Sequence, residues 1–219
     1  ATGYVLNETP FEVEITEDGK TVFITVENKF IRGDIKGYKV DEDGIAVAGA
    51  MFGLFTEDST EFTEDNAVLT AVSDADGIFT FKNVRFGKWI VRELTPAEGF
   101  VLNETEFPVD VTADGAVIEI KAENRYIYGA VHTTKVDKDY PDHLLTGAVF
   151  EAYRDVNGNQ QFDPDVDALV GTLLEYEPGL YELAGLRYGG YFLYEKQAPE
   201  NYVKDDGYHY FEIVNDGGM

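Results

Sequence analysis

The sequence lacks most of the residues that carry enzyme chemistry. It contains no cysteine, which excludes disulfides, thiol nucleophiles and thiolate metal sites. Its two serines, Ser59 and Ser73, lie outside any Gly-x-Ser-x-Gly motif, and its three histidines form no HExxH metal motif. No glycine-rich phosphate loop is present either. We therefore expect no turnover enzyme, and any catalysis is expected to be a single-turnover reaction of the chain on itself.

Positive charge and long apolar runs are also scarce. Only 17 lysines and arginines stand against 42 aspartates and glutamates, which gives a net charge of −25. Because phosphate backbones and anionic lipids are bound by basic surfaces, this balance argues against nucleic acid or a membrane surface as a partner. No apolar run approaches the roughly 20 residues that a membrane-spanning helix needs. Hydrophobic residues still make up 44% of the chain, which is enough for a packed core.

The sequence repeats itself. Gly3–Thr9 recurs as Gly99–Thr105, and Lys39–Asp41 recurs at the same offset as Lys135–Asp137. A repeat of about 100 residues has the size of one small domain.

Apolar and polar residues alternate with period two in many short segments. Val22–Asn28, Ile78–Phe81, Trp89–Glu93 and Val117–Asn124 show this pattern, and Asp-Gly turns lie between such segments. No segment has the sustained apolar stripe of an amphipathic helix. Short strands with frequent turns are typical of β-sandwiches, so we predict an all-β chain with two sandwiches in tandem.

The limits of the repeats predict three parts. Residues 1–30 match the closing strands of a preceding repeat, and residues 31–126 match one complete repeat. Residues 127–219 match a second repeat that lacks its last strand in cis.

One lysine, one glutamate and one asparagine of the complete repeat are predicted to face its apolar interior. Lys39 shares a strand face with Ile35. Glu93 and Asn124 likewise lie on the same faces of their strands as apolar residues. Two interpretations follow. The three groups form a buried ion pair with a hydrogen-bonded asparagine, or Lys39 attacks the Asn124 amide while a protonated Glu93 polarises its carbonyl. The second reaction makes an isopeptide bond and releases ammonia.

Ordered motifs in the complete repeat carry a family resemblance. They are Gly33-x-Ile-x-x-x-Lys39-Val-Asp-x-Asp-Gly44, Ala48-Gly-Ala-x-Phe52, Asp74-x-Asp-Gly-x-Phe-x-Phe81, Val91-x-Glu-x-x-Pro-Ala-x-Gly-Phe100 and Glu123-Asn124. This series resembles the Cna B-type domain, the repeat of Gram-positive collagen adhesins and pilin subunits. The resemblance implies tandem immunoglobulin-like (prealbumin-like) β-sandwich domains, often with an intramolecular isopeptide bond. It assigns Lys39 as the nucleophile, Glu93 as the catalytic acid and Asn124 as the acceptor.

The resemblance also implies a function and a location. We expect a structural stalk or adhesin module of an extracellular, cell-wall-anchored or pilus protein, with the anchor outside this segment and neighbouring repeats as partners. The alternative is a ligand-binding adhesive module that recognises a host or matrix protein.

The second repeat departs from the family pattern. Lys135 matches the nucleophile Lys39, and Glu195 matches the catalytic acid Glu93. No asparagine ends a closing strand of this repeat, because Asn215 lies in a turn. Asn28 matches an acceptor whose lysine would lie before residue 1. Either the chain is an excerpt of a longer repeat protein, or Lys135 of one copy bonds to Asn28 of another by head-to-tail strand exchange.

An acidic loop in the second repeat partly matches a calcium-binding motif. Positions 1, 3, 5 and 9 of the motif are filled by Asp155, Asn157, Asn159 and Asp163. The glycine of position 6 and the glutamate of position 12 are missing. The loop either binds calcium or is an acidic, solvated turn region, and no other cofactor is expected.

Overall fold

The computed structural model describes residues 2–217, and these residues form 14 strands without a helix. The predicted all-β fold is thereby confirmed. Among the same residues, no helix is long and apolar enough to cross a membrane. The outermost predicted domain limits, residues 1 and 219, lie outside the described residues.

The chain divides into two compact units. The first unit comprises Ala1–Ala97 and Leu102–Asn124, and the second comprises Glu98–Val101 and Arg125–Met219. Residues 1–30 are therefore grouped with the complete repeat that follows them, and a short piece of that repeat is grouped with the second unit.

The first unit is a sandwich of two sheets. Its strands are β1 (Arg32–Asp41), β2 (Met51–Thr56), β3 (Leu69–Val72), β4 (Ile78–Arg85), β5 (Gly87–Thr95), β6 (Phe107–Val111) and β7 (Val117–Asn124). One sheet has the order β4-β1-β7 and the other β3-β2-β5-β6. Strand β1 pairs antiparallel with β4 and parallel with β7, so the first and last strands of the sandwich are neighbours.

The alternation of β1 places every second side chain in the core. Its burial follows strict period two, with Ile35 and Lys39 among the buried positions. The rings of Phe52 and Phe79, from opposite sheets, stack with their centroids 3.8 Å apart. Gly37 makes this packing feasible, because a Cβ atom there would lie 2.0 Å from the Phe79 ring. The backbone of β1 and the Phe79 ring therefore pack closely two residues before Lys39.

The second unit repeats this architecture. Its strands are β8 (Tyr128–Thr134), β9 (Val149–Arg154), β10 (Ala168–Thr172), β11 (Leu174–Glu177), β12 (Leu180–Arg187), β13 (Gly189–Gln197) and β14 (Tyr208–Ile213). The sheets have the orders β11-β12-β8 and β10-β9-β13-β14. Within the described residues of this unit, no strand pairs with the edge of β8 that lies opposite β12.

The secondary structure of residues 2–30 differs from the prediction. The predicted strand Val22–Asn28 is not formed, and the only β-pairing in this part of the described chain is an isolated bridge between Tyr4 and Phe30. The physical reason is that a strand needs a neighbouring strand for its backbone hydrogen bonds, and the alternating sequence alone does not supply one.

The contacts within residues 2–30 nevertheless match those of a closing segment. The Asn7 side chain donates to the carbonyl of Glu27 at 3.0 Å. The corresponding Asn103 side chain donates to the carbonyl of Glu123 at 2.8 Å. The same local geometry therefore forms in both copies of this segment.

Candidate functional site

Three polar side chains of the first unit lie together in its core. Lys39 of β1 is 0% exposed, Glu93 of β5 is 1% exposed and Asn124 at the end of β7 is 2% exposed. Their inward orientation agrees with the parity of their strands. Burial of such groups costs several kcal/mol each unless they are paired, so this cluster calls for a physical explanation.

The sheet registers bring the three side chains into one place. Along the parallel pair of β1 and β7, Lys39 lies opposite Ala122 and Asp41 lies opposite Asn124. Glu93 belongs to the other sheet, where it pairs with Phe52 of β2. The lysine and the asparagine thus come from neighbouring strands, and the glutamate reaches them from across the sandwich.

Hydrogen bonds hold the glutamate and the asparagine against each other. Asn124 Nδ2 donates to both carboxylate oxygens of Glu93 at 2.9 Å, and the backbone N–H of Asn103 donates to Oε2 at 2.7 Å. Lys39 Nζ donates to the carbonyl of Val40 at 3.1 Å. Asn124 Oδ1 is buried and accepts no hydrogen bond. One strong acceptor of the cluster is therefore unsatisfied.

Burial shifts both ionisable groups towards their neutral forms. Desolvation lowers the pKa of Lys39, against the opposing attraction of Glu93, Glu123 and Asp41. Desolvation likewise raises the pKa of Glu93, against the hydrogen bonds from Asn103 and Asn124. A neutral amine is a nucleophile and a protonated carboxyl is a proton donor, which are the two states that amide attack requires.

The orientation of the Asn124 amide completes this chemistry. A half-turn about its Cβ–Cγ bond exchanges Oδ1 and Nδ2 and brings the unsatisfied oxygen to the Glu93 carboxyl. A protonated Glu93 would then donate to that oxygen and make the amide carbon more electrophilic.

Two contributors to the site were missed by sequence reasoning. Asp41 is buried opposite Asn124, and its Oδ1 accepts the backbone N–H groups of Asp43 and Ile45. The Asp-x-Asp-Gly turn was the available signal for Asp41. The backbone N–H of Asn103 is the second contributor, and no sequence pattern marks a backbone donor that reaches a distant glutamate.

The second unit has the lysine and the glutamate but a different arrangement. Lys135 Nζ lies 2.8 Å from Glu195 Oε1, with the lysine side chain 20% exposed and the glutamate side chain 2% exposed. The backbone N–H of Asp205 donates to Glu195 Oε2 at 2.8 Å, as Asn103 does in the first unit. Glu195 Oε1 accepts no hydrogen bond of favourable angle, so its contact with Lys135 is an ion pair only.

No described asparagine of the second unit takes the place of Asn124. Asn215 is exposed in the bend after β14, as the sequence predicts. Asn28 is exposed and lies in no strand. The bond between Lys135 and Asn28 of another copy stays a prediction.

The acidic loop is closed by its own hydrogen bonds. Asp163 Oδ2 accepts from the side chains of Asn157 and Asn159 at 2.8 Å, and Asp155 accepts from the backbone of Gly158 and Gln160. Among the described residues, no three His, Cys, Asp or Glu side chains are grouped to hold a metal ion. The calcium site stays a prediction, which a calcium titration monitored by the unfolding temperature tests.

Solved structures with similarity to this chain include two from named bacterial groups. The Bacillus anthracis TIE protein is 26% identical over 99% of this chain, with a TM-score of 0.77. This chain spans 38% of the length of that protein. A streptococcal ancillary pilin is 23% identical over 93% of this chain and 66% of its own, with a TM-score of 0.42.

Comparison with family models assigns both units to one domain family. A search among curated protein sequences finds no match. The family model described as SpaA, prealbumin-like fold domain, matches twice, over residues 33–126 and 129–219. These matches cover most of both units, and the chain therefore belongs to the SpaA prealbumin-like fold domain family and carries two of its domains.

Proposed function

We propose that this chain is a structural module of a Gram-positive cell-surface protein and that an isopeptide bond between Lys39 and Asn124 locks its first unit. The observation that carries the proposal is the fully buried cluster of Lys39, Glu93 and Asn124. The SpaA-type family and the resemblance to Cna B-type repeats support the surface location and the role as a stalk.

The three side chains supply every atom and every proton that the reaction needs. The lone pair of neutral Lys39 Nζ attacks Cγ of Asn124 while Glu93 donates its proton to Oδ1. The tetrahedral intermediate collapses when the bond from Cγ to Nδ2 breaks. Glu93 carries the amine proton to the departing nitrogen, and the proton on Oδ1 returns to Glu93 as the carbonyl re-forms. One C–N bond forms, one breaks, and one ammonia leaves. The fold supplies the proximity that replaces a bimolecular encounter.

The unsatisfied amide oxygen favours this reaction over a permanent ion pair. In the ion-pair interpretation, Asn124 Oδ1 stays buried without a donor, which costs about 1–3 kcal/mol. In the product, the same oxygen accepts a hydrogen bond from the protonated Glu93, and no charged lysine remains in the core. Product formation therefore removes both unfavourable features of the cluster.

The bond would stabilise the first unit considerably. It closes a loop of about 86 residues, for which the chain-entropy model of cross-links gives about 4–5 kcal/mol. It also links β1 to its parallel neighbour β7. No oxidant is needed, which fits a chain without cysteine.

Intact-mass measurement tests the bond. The wild-type monomer is expected to be lighter than its sequence mass by one ammonia, and Glu93→Ala is expected to have its full sequence mass. Glu195→Ala is the matched control, because it removes the corresponding carboxylate of the second unit and should leave the deficit intact. Digestion should yield one branched peptide that joins residues 39 and 124. A wild-type monomer of full sequence mass would contradict the proposal.

A further inference from the structure

We propose that Asn103 is a positioning residue of the bond-forming reaction, because its side chain ties the loop that holds Glu93 to the strand that carries Asn124. This inference rests on the proposed function and deepens it. Asn103 is half-buried in the loop between β5 and β6. Its side chain exchanges no atom and no proton with the reacting groups, so its contribution would be geometric.

Asn103 makes hydrogen bonds to both sides of the site. Its backbone N–H donates to Glu93 Oε2 at 2.7 Å, and its side-chain Nδ2 donates to the carbonyl of Glu123 at 2.8 Å. Glu123 is the residue before Asn124 in β7. One residue therefore connects the carboxyl group of one sheet with the strand of the acceptor in the other sheet.

A third hydrogen bond fixes the orientation of the Asn103 amide. The backbone N–H of Thr105 donates to Asn103 Oδ1 at 2.9 Å. Because a backbone N–H can donate only to the oxygen of an amide, Nδ2 has to face the Glu123 carbonyl. Asparagine often accepts from the backbone two residues further on in turns. Here the same turn also directs the donor of the side chain at β7.

The bridge through Asn103 uses no atom that the reaction removes. The direct hydrogen bonds between Glu93 and Asn124 come from Asn124 Nδ2, which leaves as ammonia. These bonds are lost when the amide turns and its nitrogen departs, whereas the bonds of Asn103 remain. Asn103 would thus hold the carboxyl group beside the reacting atoms while its direct contact with Asn124 changes. Fixed geometry of this kind accelerates reactions between groups of one chain.

The backbone N–H of Asn103 also selects the oxygen of Glu93 that carries the proton. Oε2 accepts this N–H, so a proton on Oε2 would compete with it. The proton is therefore expected on Oε1, which lies 2.9 Å from Asn124 Nδ2. After the half-turn of the Asn124 amide, this proton would face the oxygen to which it is donated.

The segment around Asn7 repeats the side-chain part of this arrangement. Asn7 Nδ2 donates to the carbonyl of Glu27 at 3.0 Å, and the backbone N–H of Thr9 donates to Asn7 Oδ1 at 3.0 Å. The bridge from an asparagine to the carbonyl that precedes a second asparagine is thus a property of the Asn-Glu-Thr sequence.

Asp205 of the second unit separates the role of the side chain from that of the backbone. Its N–H donates to Glu195 Oε2 at 2.8 Å, and its Oδ1 accepts the N–H of Gly207 at 2.8 Å. Hydrogen bonds from Gly207 and His209 hold the pKa of Asp205 below its usual value, so its ionised side chain is an acceptor only. The loop keeps its contact with the glutamate without an asparagine. The side-chain donor of Asn103 is therefore an addition that this loop conformation does not require.

Two substitutions remove the donor of Asn103 and keep the turn. Asn103→Asp introduces the residue that supports this turn at position 205, at the expense of an added charge. Asn103→Ser is neutral, still offers an oxygen to the backbone, and ends one bond short of the position of Nδ2. Asn7→Asp and Asn7→Ser are the matched controls, because they make the same changes in the other Asn-Glu-Thr segment.

Refolding of the full chain gives the rate of the bond-forming step. Chains recovered unfolded from inclusion bodies, with their full sequence mass, are diluted into refolding buffer and quenched at intervals. Intact mass then gives the fraction that has lost one ammonia. The fluorescence of Trp89, the only tryptophan, reports the folding of the first unit independently. A mildly acidic buffer reduces the neutral fraction of Lys39, so that chemistry rather than folding limits the loss of ammonia.

Both Asn103 variants should fold at the wild-type rate and lose ammonia about tenfold more slowly, as expected for the loss of one hydrogen bond that orients the transition state. The Asn7 variants should match wild type in folding and in mass. A slow loss of ammonia in Asn103→Asp alone would assign the effect to the added charge and overturn this inference.

Two further outcomes separate this inference from the proposed function. Loss of ammonia at the wild-type rate in both Asn103 variants, or a delay that merely follows slower folding, would overturn the positioning role and leave the bond between Lys39 and Asn124 intact. A wild-type chain that folds and keeps its full sequence mass would overturn the proposed function itself.

Discussion

The two units present the same lysine and glutamate in two different environments. In the first unit, Lys39 is fully buried and Glu93 is hydrogen-bonded to Asn124. In the second unit, Lys135 remains partly exposed and forms an ion pair with Glu195. The two units also differ in β7, which pairs with β1 and carries the asparagine, whereas no described strand of the second unit holds that place beside β8.

In the proposed reaction, one strand would supply both the asparagine and part of the buried environment. Burial lowers the pKa of Lys39, and β7 carries the amide that the neutral amine would attack. A lysine–glutamate pair without that strand is an ordinary ion pair. Four measurements test the difference between the two units.

The largest effect is expected from Asn124→Ala. Loss of the cross-link should lower the free energy of unfolding of the first unit by about 4–5 kcal/mol, because the unfolded chain regains the freedom of the closed loop. Differential scanning calorimetry should show a lower unfolding temperature for one transition and an unchanged second transition. Equal transitions in wild type and variant would show that no bond constrains the first unit.

A smaller effect is expected from Glu195→Gln in the second unit. The change removes the charge that faces Lys135, and the expected loss is about 1–3 kcal/mol. The monomer mass should keep its deficit of one ammonia, whereas Glu93→Gln should abolish it. If Glu195→Gln alone restored the full monomer mass, the second unit would hold the bond and the contrast between the units would be reversed.

The third expected effect is a pH dependence in the unbonded first unit. Burial raises the pKa of Glu93 above its usual value of 4.5. The stabilisation from its proton is therefore complete below pH 4.5 and is lost as the pH rises through the raised pKa. The unfolding temperature of Asn124→Ala should fall over this window. The matched control Asn124→Ala/Glu93→Gln should lack this part of the decline, and identical profiles would contradict the shift.

The smallest effect is expected in hydrogen exchange. Strand β1 has partners on both sides, whereas β8 pairs only with β12 among the described residues. Amides of β8 that point to its open edge should exchange faster than the corresponding amides of β1 in dilute solution. Equal protection in dilute monomers would mean that the edge is already covered.

Local patterns predicted much of the fold and of the first site. Period-two alternation indicated the strands, and strand parity placed Lys39, Glu93 and Asn124 on inward faces, where the structure has them. These inferences succeeded because the side-chain direction in a strand depends only on the count of residues from a known core position.

Properties that depend on distant partners could not be read from the sequence. Val22–Asn28 alternates as well as β7 does, yet it forms no strand, because pairing requires a neighbour that a local pattern cannot specify. The partial exposure of Lys135 and the backbone donor of Asn103 likewise follow from tertiary packing. The matching motifs around Lys39 and Lys135 therefore concealed two different sites.

The parallel alignment of β1 and β7 has a mechanical consequence. A pull on the chain before Arg32 and after Asn124 would shear these two strands along their length. With Lys39 joined to Asn124, tension would pass from the start of β1 directly to the end of β7, and residues 40–123 would lie outside the force path. In a tether built from such modules, the bonded unit would keep its length under flow.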